Sequence, residues 1–396
     1  MNFIFISPQF PKTYWNFCDR LKRNGVNVLG IGDSPYDSLD EALKSSLTEY
    51  YRVDSLEDYD QAFRAVAFFS FKYGKIDWIE SNNEYWLGLD ARLRTDFHVT
   101  TGVQENEIEF LKEKRLMKVR YAEGKIPTAR QHVVSTLESA REFIEKTGYP
   151  VIVKPNIGVG AADTYTLHSD EELEQFYGAL PSIPYVMEEF ITGDIRSYDA
   201  IVDSNGDPLF ESMTVWPPSI ADIVLTQSDL AYYVAAEVPE KLRELGRRTV
   251  KSFGVKSRFV HLEFFCLTKP KKGLGKIGDF VALEVNMRPA GGYTPDMMDF
   301  AHSTDVYQIW ADMVTADARL LPPSDKEYYC AYAGRRDGVA YLHTHEEIME
   351  KYGDRMMMQE EMPPMYWPQM GNRMYTVRLD SKEETEEFIA FVDTRI

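Results

Sequence analysis

The chain has 396 residues, more than one hydrophobic core usually organises, so two or three domains packed together are expected. An apolar content of 44% with 27% charged residues is that of a folded globular protein and excludes extended disorder. Sixty-three acidic against 44 basic residues leave a net charge of −19, a field that repels nucleic acid and anionic lipid and argues against nonspecific binding to either.

Such a field still admits a nucleotide, because a few lysines and a metal ion in one cleft reverse the potential locally. Cys18, Cys266 and Cys330 are widely spaced and odd in number, which suggests neither a disulfide framework nor a thiolate metal site. They are expected as small buried hydrophobes in a reducing compartment. The run MNFIFISPQF has no basic flank and is too short for a signal peptide or a membrane span, so a cytoplasmic location is expected.

Up to about residue 100, short β-rich runs (FIFI at 3–6, VNVLGI at 26–31, IDWIE at 76–80) alternate with helical periods such as YWNFCDRLKRN and YDQAFRAVAFFSFKYG. This alternation predicts a small parallel sheet covered by helices. The first strand-helix turn, SPQFPKTYW, lacks the dinucleotide fingerprint and stays a candidate substrate contact. Residues 104–124 read as one charged helix, IPTARQHVV as a turn entering a strand, and TLESAREFIEKTG as a capped helix closed by Gly148.

From residue 150 strand-like runs dominate to about 288, with helices near 170–179 and 239–253. DSNGDP at 203–208 is expected to turn between two of the strands, since Asn-Gly tolerates positive φ. A helix around 304–316, further strands and the closing helix KEETEEFIAFV complete the chain. The fold class expected is α/β and α+β, a parallel domain followed by one built on antiparallel sheet.

Four places carry chemistry. In DFVALEVNMRP, strict alternation puts Val281, Leu283, Val285 and Met287 on one face and Glu284, Asn286 and Arg288 on the other. In RFVHLEFFCL, Val260, Leu262, Phe264 and Cys266 oppose His261, Glu263 and Phe265. Glu263 is a lone acid in an apolar strand, costly unless paired or ligating a metal. Beside Glu284 and Asn286 it would complete an all-oxygen site suited to Mg²⁺, whereas an exposed polar face would need no ligand at all. Finally, VIVKPNIGVG sets Lys154 at the end of a strand before a loop holding Gly158 and Gly160, an arrangement that serves either phosphate binding or an ordinary turn. Arg335 and Arg336 in AYAGRRDG are open between an anion contact and a solvated strand edge.

In order over roughly residues 114 to 292, these segments resemble the ATP-grasp superfamily, especially its amino-acid-ligase and biotin-carboxylase-like members. The resemblance implies an N-terminal preATP-grasp domain over 1–103, a small lobe over 104–190 and a large lobe with a C-terminal extension over 191–396. It implies that Lys114 and Lys154 contact ATP phosphates, with Lys118 a further basic position, and that the loop of Gly158 and Gly160 covers them. It places Glu188 and the backbone from Glu189 through Phe190 to Ile191 against adenine, with Asp194 as the candidate ribose ligand. Glu263, Glu284 and Asn286 would hold Mg²⁺, for which Mn²⁺ could substitute, and Arg288 would orient the reacting carboxylate together with Asn286.

The implied activity is a carboxylate–amine ligase that forms an acyl phosphate and releases ADP and phosphate. Bicarbonate activation in the manner of biotin carboxylase and a noncatalytic nucleotide-binding module are the alternatives. Small-molecule carboxylate and amine substrates are expected, without nucleic acid or membrane, and a homodimer is the default assembly. His261 and His302 are candidate bases. The identity of the substrates is not legible in segments such as WPPSIADIVLTQSD at 216–229.

Overall fold

Strand β1 (Asn2–Ile6) is a run of four apolar residues buried on both faces, which suits the centre of a parallel sheet. It lies between β2 (Asn27–Gly32) and β4 (Trp78–Glu80), and β3 (Glu49–Arg52) adds an edge, giving the order β3-β2-β1-β4. The three runs expected as strands are β1, β2 and β4. The short EYYR edge was not among them, because four residues with no clean alternation carry little strand signal. The computed structural model describes residues 1–158, 163–216 and 228–396.

A second sheet holds β5 (Gln131–Val133), β6 (Val151–Pro155), β7 (Tyr165–Leu167) and β8 (Tyr185–Glu189) in the antiparallel order β5-β8-β6-β7. Its core packs Val151, Val153, Leu167, Tyr185 and Met187 against the helices Leu137–Thr147 and Asp170–Gly178. The first of these helices has Thr136 and Ser139 in a reciprocal capping box and ends at Gly148, whose φ of 77° explains the glycine.

The third sheet is antiparallel and runs β14-β13-β9-β11-β12-β15-β17-β16, with β10 beside β9. These are β9 (Gly193–Val202), β10 (Pro208–Ser212), β11 (Thr214–Trp216), β12 (Ala231–Val234), β13 (Arg258–Leu267), β14 (Phe280–Asn286), β15 (Tyr329–Arg335), β16 (Met356–Glu361) and β17 (Arg373–Leu379). DSNGDP turns between β9 and β10, with Gly206 at a φ of 77°. The helices Thr294–His302 and Val306–Ala316 cover this sheet and reach the first one, where Trp310 packs edge-on against Phe3, Phe5 and Phe17. One core therefore spans the parallel sheet and the large antiparallel sheet.

Three expectations are corrected. The stretch 104–124 is not one helix: Glu113 takes an extended backbone between Glu109–Lys112 and Lys114–Glu123. Alternation in β14 is broken opposite Glu263 and Phe264 by a register shift. Phe280 and Ala282 therefore join the core face of Val285 and Met287, Val281 joins the other, and Leu283 is only partly buried. Arg335 and Arg336 are neither an open anion site nor a solvated edge. Arg335 donates to the carbonyls of Val392 and His343, and Arg336 to those of Ser228, Trp367 and Pro368, so both tie the C-terminal elements together. All three cysteines are buried and free. No helix among the described residues is long and apolar enough to cross a membrane.

Candidate active site

The break at Glu113 is made by Asn156, in the turn just after β6. Its carbonyl accepts from the Lys114 N–H at 2.9 Å, its Oδ1 accepts from the Arg115 N–H at 3.0 Å, and its amide donates to Glu113 Oε2 at 3.0 Å. A side chain from the second sheet thus caps a helix start that has no cap of its own, in the manner of an N-cap residue. The consequence is that Lys114 begins its helix beside the end of β6, where Lys154 sits.

On the polar face of the second sheet, Gln131 and Ile152 flank Glu188 in register, and Lys154 lies two residues beyond Ile152. Glu188 is buried and receives Lys118 Nζ at 2.7 Å on one oxygen and Lys154 Nζ at 2.7 Å on the other, with the Gln131 amide at 2.9 Å. Burial alone would raise its pKa, but Lys154 and Lys118 outweigh it and hold the carboxyl at about 2. The two lysines part company. Lys154 is raised, because Glu188, Glu284 and Glu263 overcome its burial, while Lys118 is lowered by burial that Glu188 does not fully offset, with Lys154 adding repulsion.

Lys114 Nζ reaches Glu284 Oε1 at 2.9 Å and the Gly158 carbonyl at 3.0 Å, so it joins the loop after β6 to the third sheet. Glu284 stands opposite Glu263 across β14 and β13, and Asn286 stands opposite His261. His261 is held by Asp199 at 2.6 Å through Nδ1 and touches Glu263 Oε1 at 3.2 Å through Nε2. Burial disfavours its charge, yet Asp199 and Glu263 outweigh burial and hold it at about 9. A cationic imidazolium that already donates to two carboxylates is poorly placed to act as a base.

Arg288 follows β14. It donates to the Pro289 carbonyl at 2.8 Å and to Asn286 Oδ1 at 3.4 Å, and its Nε lies 3.8 Å from Glu84 Oε2. Among the described residues no group of three or more His, Cys, Asp or Glu stands in a metal-holding arrangement. The donor set at β13 and β14 is instead two carboxylates and an amide, hard oxygen ligands in the small number Mg²⁺ accepts alongside phosphate and water. Asn286 Nδ2 is a buried donor without a partner, which calls for an acceptor such as a phosphate oxygen, while its Oδ1 is the atom that would face a cation. These residues fit a magnesium ion.

Of the other expected positions, Glu189 is spent within the protein: its carboxylate takes Arg130 N at 2.8 Å, Arg130 Nη2 at 2.8 Å and Lys271 Nζ at 3.3 Å. Its N–H bonds the Arg130 carbonyl and the Phe190 carbonyl accepts from Lys271, so part of the backbone expected against adenine already has partners. Ile191 is buried and Asp194 is exposed at the start of β9. Gly160 and positions 217–227 lie outside the described residues. His302 is drawn elsewhere, bonded to Ser212 at 2.8 Å and to Glu327. The first turn does approach the site from outside: Tyr14 donates to the Asn82 carbonyl at 2.6 Å, and Lys12 pairs with Glu360.

Sequence reasoning missed the acids at the end of β4 and in the loop after it. Glu80 is buried and bound by Arg258 at 2.7 Å and Arg94 at 3.4 Å, and Glu84 faces Arg288. Both lie in IDWIESNNEYW, where two acids four apart near a strand end were the available signal.

Comparison with known proteins places the fold. The family model of the carbamoyl-phosphate synthase L chain ATP binding domain matches residues 112–181, which contain Lys114, Asn156 and Lys154. The solved L-amino acid ligase from Bacillus licheniformis superposes with a TM-score of 0.73 over 99% of this chain and 96% of that one, at 16% identity. The chain has the ATP-grasp fold. The biotin carboxylase domain of the Hydrogenobacter thermophilus 2-oxoglutarate carboxylase, solved with MgADP and bicarbonate, matches with a TM-score of 0.69 at 14% identity, over 98% of this chain and 88% of that one. An L-arginine-specific L-amino acid ligase of Bacillus subtilis is 24% identical over 297 residues, which cover 71% of this chain and 67% of the relative. Against the carbamoyl phosphate synthase large chain of Clavibacter michiganensis subsp. michiganensis the identity is 27% over 183 residues, 41% of this chain but only 16% of that much longer relative. The resemblance to the ATP-grasp superfamily, and the mixed α/β and antiparallel fold it implied, are borne out.

Proposed function

We propose that this chain is an ATP-dependent carboxylate–amine ligase of the cytoplasm, acting on small-molecule substrates. The observation that carries the reading is the convergence of Lys114, at the start of its helix, and Lys154 of the second sheet near Glu284 and Glu263 of the third, with Arg288 next in line. The lysines neutralise the protein's own carboxylates, Lys114 that of Glu284 and Lys154 that of Glu188. With ATP the same lysines would turn to phosphate oxygens, Lys114 releasing Glu284 and Lys154 releasing Glu188.

Glu263, Glu284 and Asn286 would hold Mg²⁺, which supplies charge neutralisation for the triphosphate. Mn²⁺, with the same preference for oxygen ligands, is a workable substitute. Lys114 and Lys154 would gather the phosphates, and the loop carrying Gly158 would close on them. The adenine would lie near Glu188 and the chain from Glu189 through Phe190 to Ile191, with Asp194 within the stretch that meets the ribose.

Arg288 would orient a substrate carboxylate, whose oxygen attacks the γ-phosphorus as the bond to ADP breaks. The amine nitrogen then attacks the acyl carbon, inorganic phosphate leaves, and the nitrogen loses a proton to give the amide. The protein's contribution is positioning and charge compensation.

Incubating the purified protein with Mg-ATP and pools of amino acids, with and without hydroxylamine, tests the reading. ADP release that depends on a pool, accompanied by hydroxamate, is the expected result. ATP binding with no carboxylate-dependent ADP release from any pool would overturn it, and turnover that requires biotin and bicarbonate would favour carboxylation instead.

A further inference from the structure

Glu188 is a buried carboxylate with two lysines, one more than its single charge needs. Lys118 Nζ takes one oxygen and Lys154 Nζ the other, each at 2.7 Å, and the Gln131 amide adds a neutral donor at 2.9 Å. The lysines come from different elements. Lys154 lies on β6, beside the strand of Glu188, and Lys118 on the helix Lys114–Glu123, one turn after Lys114.

They are also held unequally. Lys118 Nζ donates to Thr128 Oγ1 at 2.7 Å, and that hydroxyl donates onward to the Ala282 carbonyl of β14 at 3.2 Å. The Ala282 N–H returns to the Pro127 carbonyl at 2.7 Å, so Thr128 is seated firmly on the third sheet. Lys118 is thereby moored both to Glu188 and, through Thr128, to β14. Among the described residues, Glu188 is the one hydrogen-bonding partner of Lys154 Nζ. The lysine with one tie is the one that the nucleotide would draw away, and the lysine with two ties stays.

A buried carboxylate that loses its counterion is strongly disfavoured, and the neutral Gln131 amide does not replace a charge. Lys118 removes that obstacle. Its own charge gains by the exchange: burial lowers it most and Lys154 adds repulsion against the pull of Glu188, so the departure of Lys154 relieves the repulsion. We infer that Lys118 is a positioning residue, a resident counterion that keeps the Glu188 charge compensated while Lys154 moves to the nucleotide. This rests on the reading that Lys154 serves ATP, and it adds the residue that lets Lys154 go.

Calorimetry of Mg-ATP binding to the full chain tests the exchange. Lys118→Met should weaken binding roughly 10- to 100-fold, since either Glu188 is stranded or Lys154 stays with it. Lys118→Arg keeps the charge and should recover most of the loss. With Glu188→Gln as the background there is no charge to compensate, and Lys118→Met should then move the affinity by less than about threefold. Lys118→Gln, which keeps a donor for Thr128 but no charge, gives the same comparison if the methionine variant fails to fold.

Unchanged affinity in Lys118→Met would overturn the inference. An equal loss in both backgrounds would overturn it too, because Lys118 would then touch the nucleotide itself, and so would a loss that arginine does not recover. Parent-level affinity in Lys154→Met would show that no exchange takes place. A parent chain that binds no Mg-ATP would remove the nucleotide reading and the inference together. The expected ratios in a chain that releases no carboxylate-dependent ADP would support the inference and remove the ligase reading alone.

Discussion

Replacing Arg258 with methionine should strongly destabilise this protein. Arg258 is 1% exposed and makes two short contacts, 2.7 Å to Glu80 Oε2 and 2.7 Å to the Met287 carbonyl. Burial works against the Glu80 charge, and Arg258 and Arg94 outweigh it to keep that carboxyl low. Without Arg258, Glu80 retains one guanidinium at 3.4 Å and neighbouring Asp90, whose own carboxyl is pushed up to about 8 by burial and by Glu80 and which acts to lower that of Glu80. Breaking a buried pair by removing one partner costs about 3 to 5 kcal/mol. Urea unfolding followed by tryptophan fluorescence reads the change. Glu80→Gln in the same chain should recover part of it, so the double variant falls short of the sum of the singles by at least about 1 kcal/mol. A loss below about 1 kcal/mol for Arg258→Met, or strict additivity with Glu80→Gln, would refute the argument that this ion pair ties the first sheet to the end of β14.

Three further outcomes follow from the site. Glu284→Gln removes charge at nearly constant volume and should abolish ADP formation while leaving the unfolding free energy within about 1 kcal/mol of the parent; turnover near the parent level would remove Glu284 from the metal set. Lys154→Met should weaken Mg-ATP binding roughly 10- to 100-fold in calorimetry, the worth of one charged hydrogen bond, and unchanged affinity would make that lysine purely a partner of Glu188. Glu188, at about 2 against an ordinary 4.5, contributes about 3 kcal/mol of stability above pH 4.5. Because the folded value is the lower one, that contribution is lost as pH falls from about 4.5 through 2. Glu188→Gln should therefore flatten the acid limb of the stability profile, and an unchanged limb would contradict it.

The fold was legible wherever burial follows local periodicity. The apolar runs of β1, β2 and β4, the Thr136 cap and the Gly148 stop each depend on neighbours within a few residues. The face of β13 was legible for the same reason, since Val260, Leu262, Phe264 and Cys266 do share one core. What escaped depends on distant partners. The helix break at Glu113 is imposed by Asn156, which lies 43 positions away. The displaced parity of β14 arises from its pairing with β13, not from its own residues. Glu84 was invisible because its meaning comes from Arg288, brought across by Glu80 and Arg258, which are 178 positions apart. Lys154, Glu263 and Glu284 could be named from a strand end and alternation, Lys114 and Glu188 only from the family resemblance, and the loop that faces them required the packing of one sheet on another.

The central claim is that a substrate carboxylate is activated by taking the γ-phosphoryl group. Amino acids labelled with ¹⁸O in the carboxyl group, supplied with Mg-ATP and hydroxylamine, test it most directly through the mass of the released phosphate. The account predicts one labelled oxygen carried into each phosphate and none into the nucleotide. Unlabelled phosphate, or label recovered in AMP, would contradict it.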